Sequence, residues 1–418
     1  RSILWQLLVV GFSAACGNPE RGVAGSSNAD ESGAGGELNG GGDSGVGGSS
    51  CVSYTDISSS RGFVGQAPLS LIDPNNGKLL VAITETVNYG SSRYQRPSLI
   101  RCDLDGTGCT YADVSAGRSG LLATAGIDTD RGKLLVVIKN DTGWYTTGLI
   151  RCDLDGSGCT YRDISAADVG ASWVGADPAS GDVRVVVENR GLREPGLIRC
   201  DLGAGACRYW NISAGQGPIA YPTVVVDTAS AKLLVVAENG ADSYKLGMIR
   251  CNFDGTGCTY ADISTGQLPY TGYRVILPMI DSINDKLMVV TVSSTSNAID
   301  LPLALTRCEL DGTGCSYQAI APLRYDSSVY PFTSAVIDSV GSKLLIVTLS
   351  NDDHHKPVLY RCELDGTGCS YQDISAGQGR DSGWSPSAVI DSTARKLLVV
   401  TENGDNTYLP GLFSVCLQ

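Results

Sequence analysis

Basic residues and histidine are scarce in this chain. These shortages bear on which partners the protein can bind and on whether it can hold a metal ion. The 418 residues carry 31 Lys and Arg against 44 Asp and Glu, for a net charge of -13. A nucleic acid or an anionic membrane surface would require basic clusters, so neither is expected as a partner. No run rich in Ala, Glu, Lys and Leu is present, so we expect little helix. The sequence also lacks a Ser-His-Asp elbow, a phosphate-binding loop and a dinucleotide fingerprint.

The 2 histidines of the chain are adjacent, at His354 and His355, in a polar segment that also contains Asp352 and Asp353. Adjacent imidazoles beside carboxylates can hold a metal ion. A polar surface loop explains the same residues without a metal. We therefore predict no metal site here.

Cysteine, by contrast, is abundant, and the 15 cysteines follow a repeat. Six close variants of LIRCDLDGTGCTYADIS each contain two cysteines seven positions apart. The segment 51–58 (CVSYTDIS) supplies only the second half of the motif, and the segment 411–418 (GLFSVCLQ) only the first half. Joined, they make a seventh copy, which only a closed ring of repeats requires. The predicted disulfides are Cys51–Cys416, Cys102–Cys109, Cys152–Cys159, Cys200–Cys207, Cys251–Cys258, Cys308–Cys315 and Cys362–Cys369.

The repeat has a period of about fifty residues, which is typical of one four-stranded propeller blade. In the clearest copy we predict strand A at 387–391, strand B at 396–401, strand C at 412–417 and strand D at 51–58, because each run is short, β-branched and bounded by turn residues. The sequence therefore predicts an all-β, seven-bladed β-propeller over residues 51–418. Its last blade is closed by the N-terminal and C-terminal strands.

The segment between strands C and D predicts a hairpin that carries each disulfide. An Asp105-Gly106 centre favours a two-residue turn, which would place Cys102 opposite Cys109. Each short disulfide is expected to contribute about 2 to 3 kcal/mol to the free energy of unfolding, and Cys51–Cys416 about 5 kcal/mol, because it closes a far longer loop.

Two further positions recur in all seven copies, which marks them as structural. The Asp that ends strand A can accept hydrogen bonds from the adjacent turn. The Tyr of strand D can pack between blades, with its hydroxyl near the rim. These residues are Asp73, Asp128, Asp177, Asp227, Asp281, Asp338 and Asp391, and Tyr54, Tyr111, Tyr161, Tyr209, Tyr260, Tyr317 and Tyr371.

The first fifty residues predict a membrane-anchored export product. Residues 1–16 contain a short apolar stretch followed by Ser13-Ala14-Ala15-Cys16-Gly17, which resembles a bacterial lipoprotein signal with Cys16 as the lipidated residue. An ordinary signal peptide with an incidental cysteine is the alternative. Residues 17–50 are rich in Gly, Ser and acidic residues and predict a disordered tether. We thus expect a protein secreted across the inner membrane and held at the bacterial outer membrane or cell surface, in an oxidising compartment.

The segment 103–111 (DLDGTGCTY) resembles the Asp box, or BNR repeat, of sialidase-like propellers. Asp105, Gly108, Thr110 and Tyr111 match the box, whereas Asp103 stands where that family has Ser or Thr. In the family the box is a structural turn between the third and fourth strands, on the face away from the active site. The resemblance implies a propeller and its orientation. Sialidase-like enzymes have six blades, however, whereas this chain has seven repeats.

The acids of the same hairpin also resemble calcium ligands. The first acid varies to Asn252, Glu309 and Glu363, and no bidentate Glu follows. A satisfied turn therefore explains the motif better, and we predict no cofactor, with Ca²⁺ as the alternative.

The B-to-C and D-to-A loops differ between copies and share the face opposite the hairpins, which is a natural binding position. We predict that a monomer binds an extracellular glycan or protein there, because aromatic side chains with polar tips stack on sugars and anchor protein partners. Packing at the blade junctions is the alternative reading. The candidate ligand-binding residues are Tyr94, Trp144, Tyr145, Tyr244, Tyr273, Tyr325, Trp384 and Tyr408.

An enzyme is the second hypothesis. Glu188, Glu238 and Glu402 occupy one position near the end of strand B, and glycosidases use two carboxylates at a defined separation. A solvated rim explains these glutamates equally well. Arg274 is the candidate for the substrate-binding arginine that a sialidase-like exo-glycosidase would need. A purely structural envelope protein is the third hypothesis.

Overall fold

The structure is a computed structural model, and it describes the chain from residue 51 to residue 417 with gaps. Within the described residues no helix is long and apolar enough to cross a membrane. The described ranges are 51–58, 65–89, 92–140, 146–164, 169–177, 180–201, 205–242, 244–265, 273–293, 300–324, 332–350, 355–378, 382–403 and 409–417.

Seven four-stranded antiparallel sheets form the blades of a propeller, which confirms the predicted fold. Blade 1 contains β2 (Gly65–Ile72), β3 (Leu79–Tyr89), β4 (Ser92–Cys102) and β5 (Thr110–Asp113). Blade 2 contains β6 (Gly120–Asp128), β7 (Lys133–Asn140), β8 (Thr147–Asp153) and β9 (Thr160–Asp163). Blade 3 contains β10 (Val169–Ala176), β11 (Val183–Asn189), β12 (Glu194–Cys200) and β13 (Cys207–Asn211). Blade 4 contains β14 (Ile219–Asp227), β15 (Lys232–Asn239), β16 (Lys245–Asn252) and β17 (Thr259–Asp262).

The remaining blades follow the same order of strands A to D. Blade 5 contains β18 (Tyr273–Asp281), β19 (Lys286–Ser293), β20 (Asp300–Glu309) and β21 (Ser316–Arg324). Blade 6 contains β22 (Thr333–Asp338), β23 (Lys343–Ser350), β24 (Lys356–Glu363) and β25 (Ser370–Asp373). Blade 7 contains β26 (Trp384–Asp391), β27 (Lys396–Asn403) and β28 (Leu409–Cys416), and takes β1 (Val52–Asp56) as its outer strand.

The two ends of the ring meet in blade 7. Strand β1 pairs with β28 from Val52↔Val415 to Asp56↔Gly411. The Cys51–Cys416 disulfide lies at the end of this ladder, with Cα atoms 5.4 Å apart. The six short disulfides are also present, each between cysteines seven positions apart. The ring is therefore closed by a strand and a covalent bond together.

The apolar core lies between blades, and strand B contributes to it with both faces. In β7, Leu134, Val136 and Ile138 pack against blade 1. The alternate residues Leu135 and Val137 pack against blade 3. A strand that is buried on both sides needs a continuous apolar run, which explains the repeated LLVV segments.

The hairpin between strands C and D differs from the predicted two-residue turn. In blade 1, Gly106 N donates to Asp103 O and Asp103 N donates to Thr107 O, both at 2.9 Å, so the loop has three residues centred on Asp105. Gly106 and Gly108 take positive φ, whereas the two-residue turn would also require positive φ at Asp105. The predicted turn was therefore wrong, but the second glycine restores the register, and the Cα atoms of the cysteines are 4.1 Å apart.

The first glycine of this hairpin also contacts the preceding blade. A Cβ atom on Gly156, the equivalent of Gly106 in blade 2, would lie 2.5 Å from the Cβ of Ala112 in blade 1. The same close approach recurs at other junctions, for example between Gly312 and Ala261. The repeated glycine is therefore required by packing between blades as well as by its backbone angle.

A Gly156→Ala substitution is expected to destabilise the ring more than Gly117→Ala. Both glycines have positive φ, which costs an alanine about 1 to 2 kcal/mol. Gly117 has open space around it, whereas Gly156 would add overpacking worth about 1 to 3 kcal/mol. Guanidinium denaturation of both variants checks this difference, and equal losses would contradict the packing explanation.

A repeated turn ends the outer strands. In blade 1, Asp113 accepts a hydrogen bond from Ser115 N at 2.8 Å, and the intervening Val114 is fully buried. This turn directs the chain from strand D to strand A of the next blade. The same bond joins Asp56 and Ser58, Asn211 and Ser213, Asp262 and Ser264, and Asp373 and Ser375.

Candidate binding surface on the loop face

We call the face that collects the B-to-C and D-to-A loops the loop face. Blade 1 extends furthest on this face among the described B-to-C segments. In the other six blades strand B ends at the residue equivalent to Glu85, whereas β3 continues to Tyr89. Four extra residue pairs, from Thr86↔Gln95 to Tyr89↔Ser92, form a two-stranded extension that we call the blade 1 ribbon (86–89 and 92–95). At about 3.3 Å per residue it projects about 13 Å beyond the ring.

A buried network anchors the base of the blade 1 ribbon. Glu85 is fully buried and accepts hydrogen bonds from Arg96 Nε at 2.7 Å, from Ser98 Oγ at 3.0 Å and from the Tyr111 hydroxyl. Burial, together with the bond to Glu85, raises the pKa of Tyr111 to about 12. Arg96 also pairs with Asp113 at 2.6 Å. A charged network that is fixed in this way holds the ribbon at one angle to the ring.

The same position carries asparagine in most other blades, which explains the repeated tyrosine. Asn140 donates to the Tyr161 hydroxyl at 2.8 Å, and Asn239 to that of Tyr260 at 3.1 Å. The tyrosine ring lies against the glycine of strand C, such as Gly148 in blade 2. The repeated tyrosines are therefore structural. Blade 1 replaces the asparagine with an acid and uses it to support the ribbon.

Blade 5 carries a second extension, and its cause is visible in the sequence. Ala319 stands where the other outer strands have the Asp or Asn that accepts the terminal hydrogen bond. Without that turn β21 continues to Arg324, which pairs with Asp300 of β20. We call residues 300–303 and 321–324 the blade 5 ribbon. Two blades separate it from blade 1 on one side of the ring and three on the other, so the ribbons flank the loop face.

Of the predicted aromatic residues, three lie on this face with described side chains. Tyr94 is half-buried in the blade 1 ribbon, and Trp384 is half-buried at the start of β26. The Trp384 ring packs against Phe332 and His355, with centroids 5.8 and 4.8 Å apart. Tyr244 is 39% exposed in blade 4.

One exposed aromatic residue on this face, Tyr221, is not in the predicted ligand-binding set, although it belongs to the tyrosines that the sequence places in or beside the variable loops. It is 39% exposed on the same blade as Tyr244, and both residues have positive φ. It precedes Pro222 near the start of strand A in blade 4. The backbone of Tyr273 begins β18, but its side chain lies outside the described residues, as do Trp144, Tyr145, Tyr325 and Tyr408.

Glu402 is the predicted acid with the most unusual environment. Its side chain is buried, and one carboxylate oxygen accepts a hydrogen bond from Ala67 N of blade 1 at 2.5 Å. Burial raises the pKa of Glu402 to about 7, although the bonds from Ala67 and Ser385 oppose this rise. A carboxyl group with this pKa can give or accept a proton at neutral pH. Because it bonds to Ala67, Glu402 also links blade 7 to blade 1.

Thr84 makes the equivalent hydrogen bond between blades 1 and 2. It occupies the same position of strand B in blade 1 and accepts a hydrogen bond from Leu122 N of blade 2 at 3.0 Å. The position therefore serves the junction between blades in both cases. In blade 7 the residue at this position, Glu402, can also ionise.

The other predicted catalytic residues do not form a close pair with Glu402. Glu238, which is 1% exposed, and Glu188 lie in the neighbouring blades 4 and 3, across the ring from blade 7. Arg274 follows Tyr273 in β18, and its side chain lies outside the described residues. The structure thus places the three glutamates at equivalent positions of their blades without bringing Glu402 near the others.

The hairpin acids are satisfied by their own turns. Asp105 accepts hydrogen bonds from Thr107 N at 2.9 Å and from Thr107 Oγ1 at 2.7 Å. The hydroxyl bond, followed by the backbone bond, holds the pKa of Asp105 below its usual value. Among the described residues no group of three or more His, Cys, Asp or Glu is placed to hold a metal ion.

Comparisons with known proteins find the fold repeatedly in solved structures. A chain of a mitotic checkpoint complex is 10% identical, with a TM-score of 0.53 over 91% of this chain and 96% of that one. A protein of unknown function from Dyadobacter fermentans is 9% identical, with a TM-score of 0.52 over 88% and 99%. The GH74 xyloglucanase from Xanthomonas campestris is 14% identical, with a TM-score of 0.52 over 84% and 52%. These similarities show the fold alone. No family model and no curated protein matches the chain.

Proposed function

We propose that this protein binds an extracellular glycan or protein through the loop face of its propeller. The observation that carries the proposal is the pair of ribbons that flank this face. Rigid rings commonly display their binding residues on such extensions, where they do not disturb the core. The exposed Tyr221 and Tyr244 on blade 4 add aromatic area between the ribbons.

The proposed cellular setting follows from the sequence pattern. Residues 1–50 lie outside the described residues, and the motif around Cys16 supports a lipid anchor at the bacterial surface. Seven disulfides suit an oxidising compartment. The proposed ligand is therefore one that is present outside the inner membrane.

Replacing Tyr94 or Tyr244 with alanine is expected to weaken ligand binding by about tenfold or more, the loss typical of a central aromatic contact. A glycan array, together with a pull-down from envelope extracts followed by affinity measurement on the purified partner, would measure this with the full chain. Ile283→Ala is the control, because Ile283 is 51% exposed in the turn between strands A and B of blade 5, on the face opposite the loops. Equal losses in all three variants, or no ligand in either screen, would contradict the proposal.

A glycoside hydrolase of sialidase-like descent is the second candidate, favoured by the pKa of Glu402 near neutrality. A fluorogenic glycoside panel tests it. Turnover that is abolished by Glu402→Gln would place catalysis ahead of binding. Binding without turnover would support the first proposal.

A further inference from the structure

A cleft of about 480 Å³ lies on the outer side of the ring, where the D-to-A segment of blade 3 meets the C-to-D hairpin of blade 4. Glu194, Asn211, the segment 213–216, Gly255 and Cys258 line it. We call it the junction cleft.

The charge of the junction cleft differs from that of the equivalent sites in blades 1 and 4. In those blades the residue equivalent to Glu194 is a cation, and it pairs with the last acid of strand D, as Arg96 does with Asp113 at 2.6 Å and Lys245 with Asp262 at 3.9 Å. Blade 3 has an acid at the first position and Asn211 at the second. Glu194 consequently forms no ion pair with any described residue.

Asn211 holds the Glu194 carboxylate in one orientation. Its Nδ2 donates to Glu194 Oε2 at 2.6 Å, while its Oδ1 accepts from Ser213 N at 2.8 Å. Both ends of the amide are therefore used, and the carboxylate and the 213–216 segment are fixed relative to each other. Within the described residues Glu194 Oε1 has no hydrogen-bond partner.

Gln216 supplies the second polar group. Its backbone N donates to Ser213 O at 3.1 Å, which closes the loop. Gln216 as a whole is partly exposed, and its side-chain amide makes no hydrogen bond to a described residue. The junction cleft thus offers a partly exposed carboxylate oxygen that can accept a hydrogen bond and an amide that can both give and accept one.

Small and apolar surfaces complete the junction cleft. Gly215 has open space around it and lies beside the small side chain of Ala214, so a ring can approach the backbone there, and Gly255 and Cys258 of the blade 4 hairpin form the opposite wall. A single carboxylate is too few for Ca²⁺, which takes six to eight oxygen ligands. The same carboxylate repels anions. The combination of acceptor, amide and small apolar floor fits vicinal hydroxyls on a neutral ring.

We propose that the junction cleft is a subsite for a neutral pyranose sugar, with Glu194 and Gln216 as its hydrogen-bonding residues. The assignment rests on the proposed function, because it gives one glycan unit a place beside a D-to-A segment, which belongs to the loop face.

The test is isothermal titration calorimetry of the full chain with methyl glycosides of glucose, galactose, mannose and N-acetylglucosamine. One of them is expected to bind saturably, with a Kd on the order of 1 mM. Glu194→Ala and Gln216→Ala should each weaken that binding about tenfold, whereas Asp130→Ala, at an exposed turn of blade 2, should leave it unchanged. Circular dichroism confirms that each variant is folded.

Two results would overturn the subsite. One is the absence of saturable binding by any of the four glycosides, and the other is unchanged binding by Glu194→Ala and Gln216→Ala. The glycan array and the pull-down separate this failure from that of the proposed function. A ligand that binds Glu194→Ala as tightly as the natural chain but fails with Tyr94→Ala would remove the subsite and keep the loop face.

Discussion

Replacing Cys51 and Cys416 with serine is expected to lower the free energy of unfolding by about 5 kcal/mol. Cysteines 365 residues apart restrict the unfolded chain far more than cysteines seven apart, because the entropy of loop closure grows with loop length. The variant keeps the β1 ladder to β28 and so can still form the ring. Guanidinium denaturation under non-reducing conditions measures the loss.

The matched control is the serine pair at Cys200 and Cys207, which removes one short disulfide from blade 3. Its expected loss is about 2 kcal/mol in the same chain-entropy model. A larger or equal loss at the short disulfide would show that loop length does not govern the contribution of these bonds. Peptide mapping without reduction should also find a fragment that joins residues 51 and 416.

The ring could be predicted because the motif recurs at a nearly constant period and carries its cysteines in pairs. Half-motifs at residues 51–58 and 411–418 complete each other only in a closed ring, and the structure pairs them as β1 and β28. The hairpin was predicted less well. Asp105-Gly106 suggests a two-residue turn locally, but Gly108 also adopts positive φ, and the loop therefore contains one more residue. The local preference of Asp-Gly for a two-residue turn does not reveal this additional residue.

The ribbons were not predicted, although the sequence holds signals for both. Ala319 breaks the pattern that ends every other outer strand, and the run from Thr86 to Tyr89 is rich in strand-forming residues. Neither departure alters the cysteine spacing, which all copies share. In a repeat protein the positions at which one copy differs from the others are the natural candidates for binding residues. The two ribbons occur at such positions.

The environment of Glu402 could not be predicted, since it depends on a neighbour 335 positions away. Ala67 occupies an irregular part of β2 with φ of +50°, which exposes its N–H to blade 7. Only the closed ring brings the two residues together. The junction cleft has the same character, because the exchange of charge at Glu194 is visible in the sequence but the space beside it is not.

The ionisation of Glu402, at the junction between blades 7 and 1, is expected to lower the stability of the protein as the pH rises. Its pKa is about 7 in the folded protein, against an ordinary value of 4.5. Below pH about 4.5 the carboxyl is protonated in both states. Between about 4.5 and 7 the unfolded chain releases the proton while the folded protein retains it, so stability falls by about 1.4 kcal/mol per pH unit and by about 3 kcal/mol across the window.

A Glu402→Gln substitution isolates this effect. The amide oxygen can still accept the hydrogen bond from Ala67 N, and the NH₂ group can bind the Ser385 hydroxyl, but no ionisation follows. The variant should therefore gain about 3 kcal/mol of stability relative to the natural chain between pH 4 and pH 8. Urea denaturation at several pH values measures the difference, in which the titration of all other groups cancels.

Thr84→Val provides the matched control, since Thr84 makes the equivalent bond to Leu122 N without a titratable group. Its loss of about 1 to 3 kcal/mol should be the same at every pH. A Glu402→Gln difference that stays flat with pH would mean that the carboxyl titrates alike in both states. The junction would then contain an ordinary acid, and the case for a neutral-pH proton donor at this site would be lost with it.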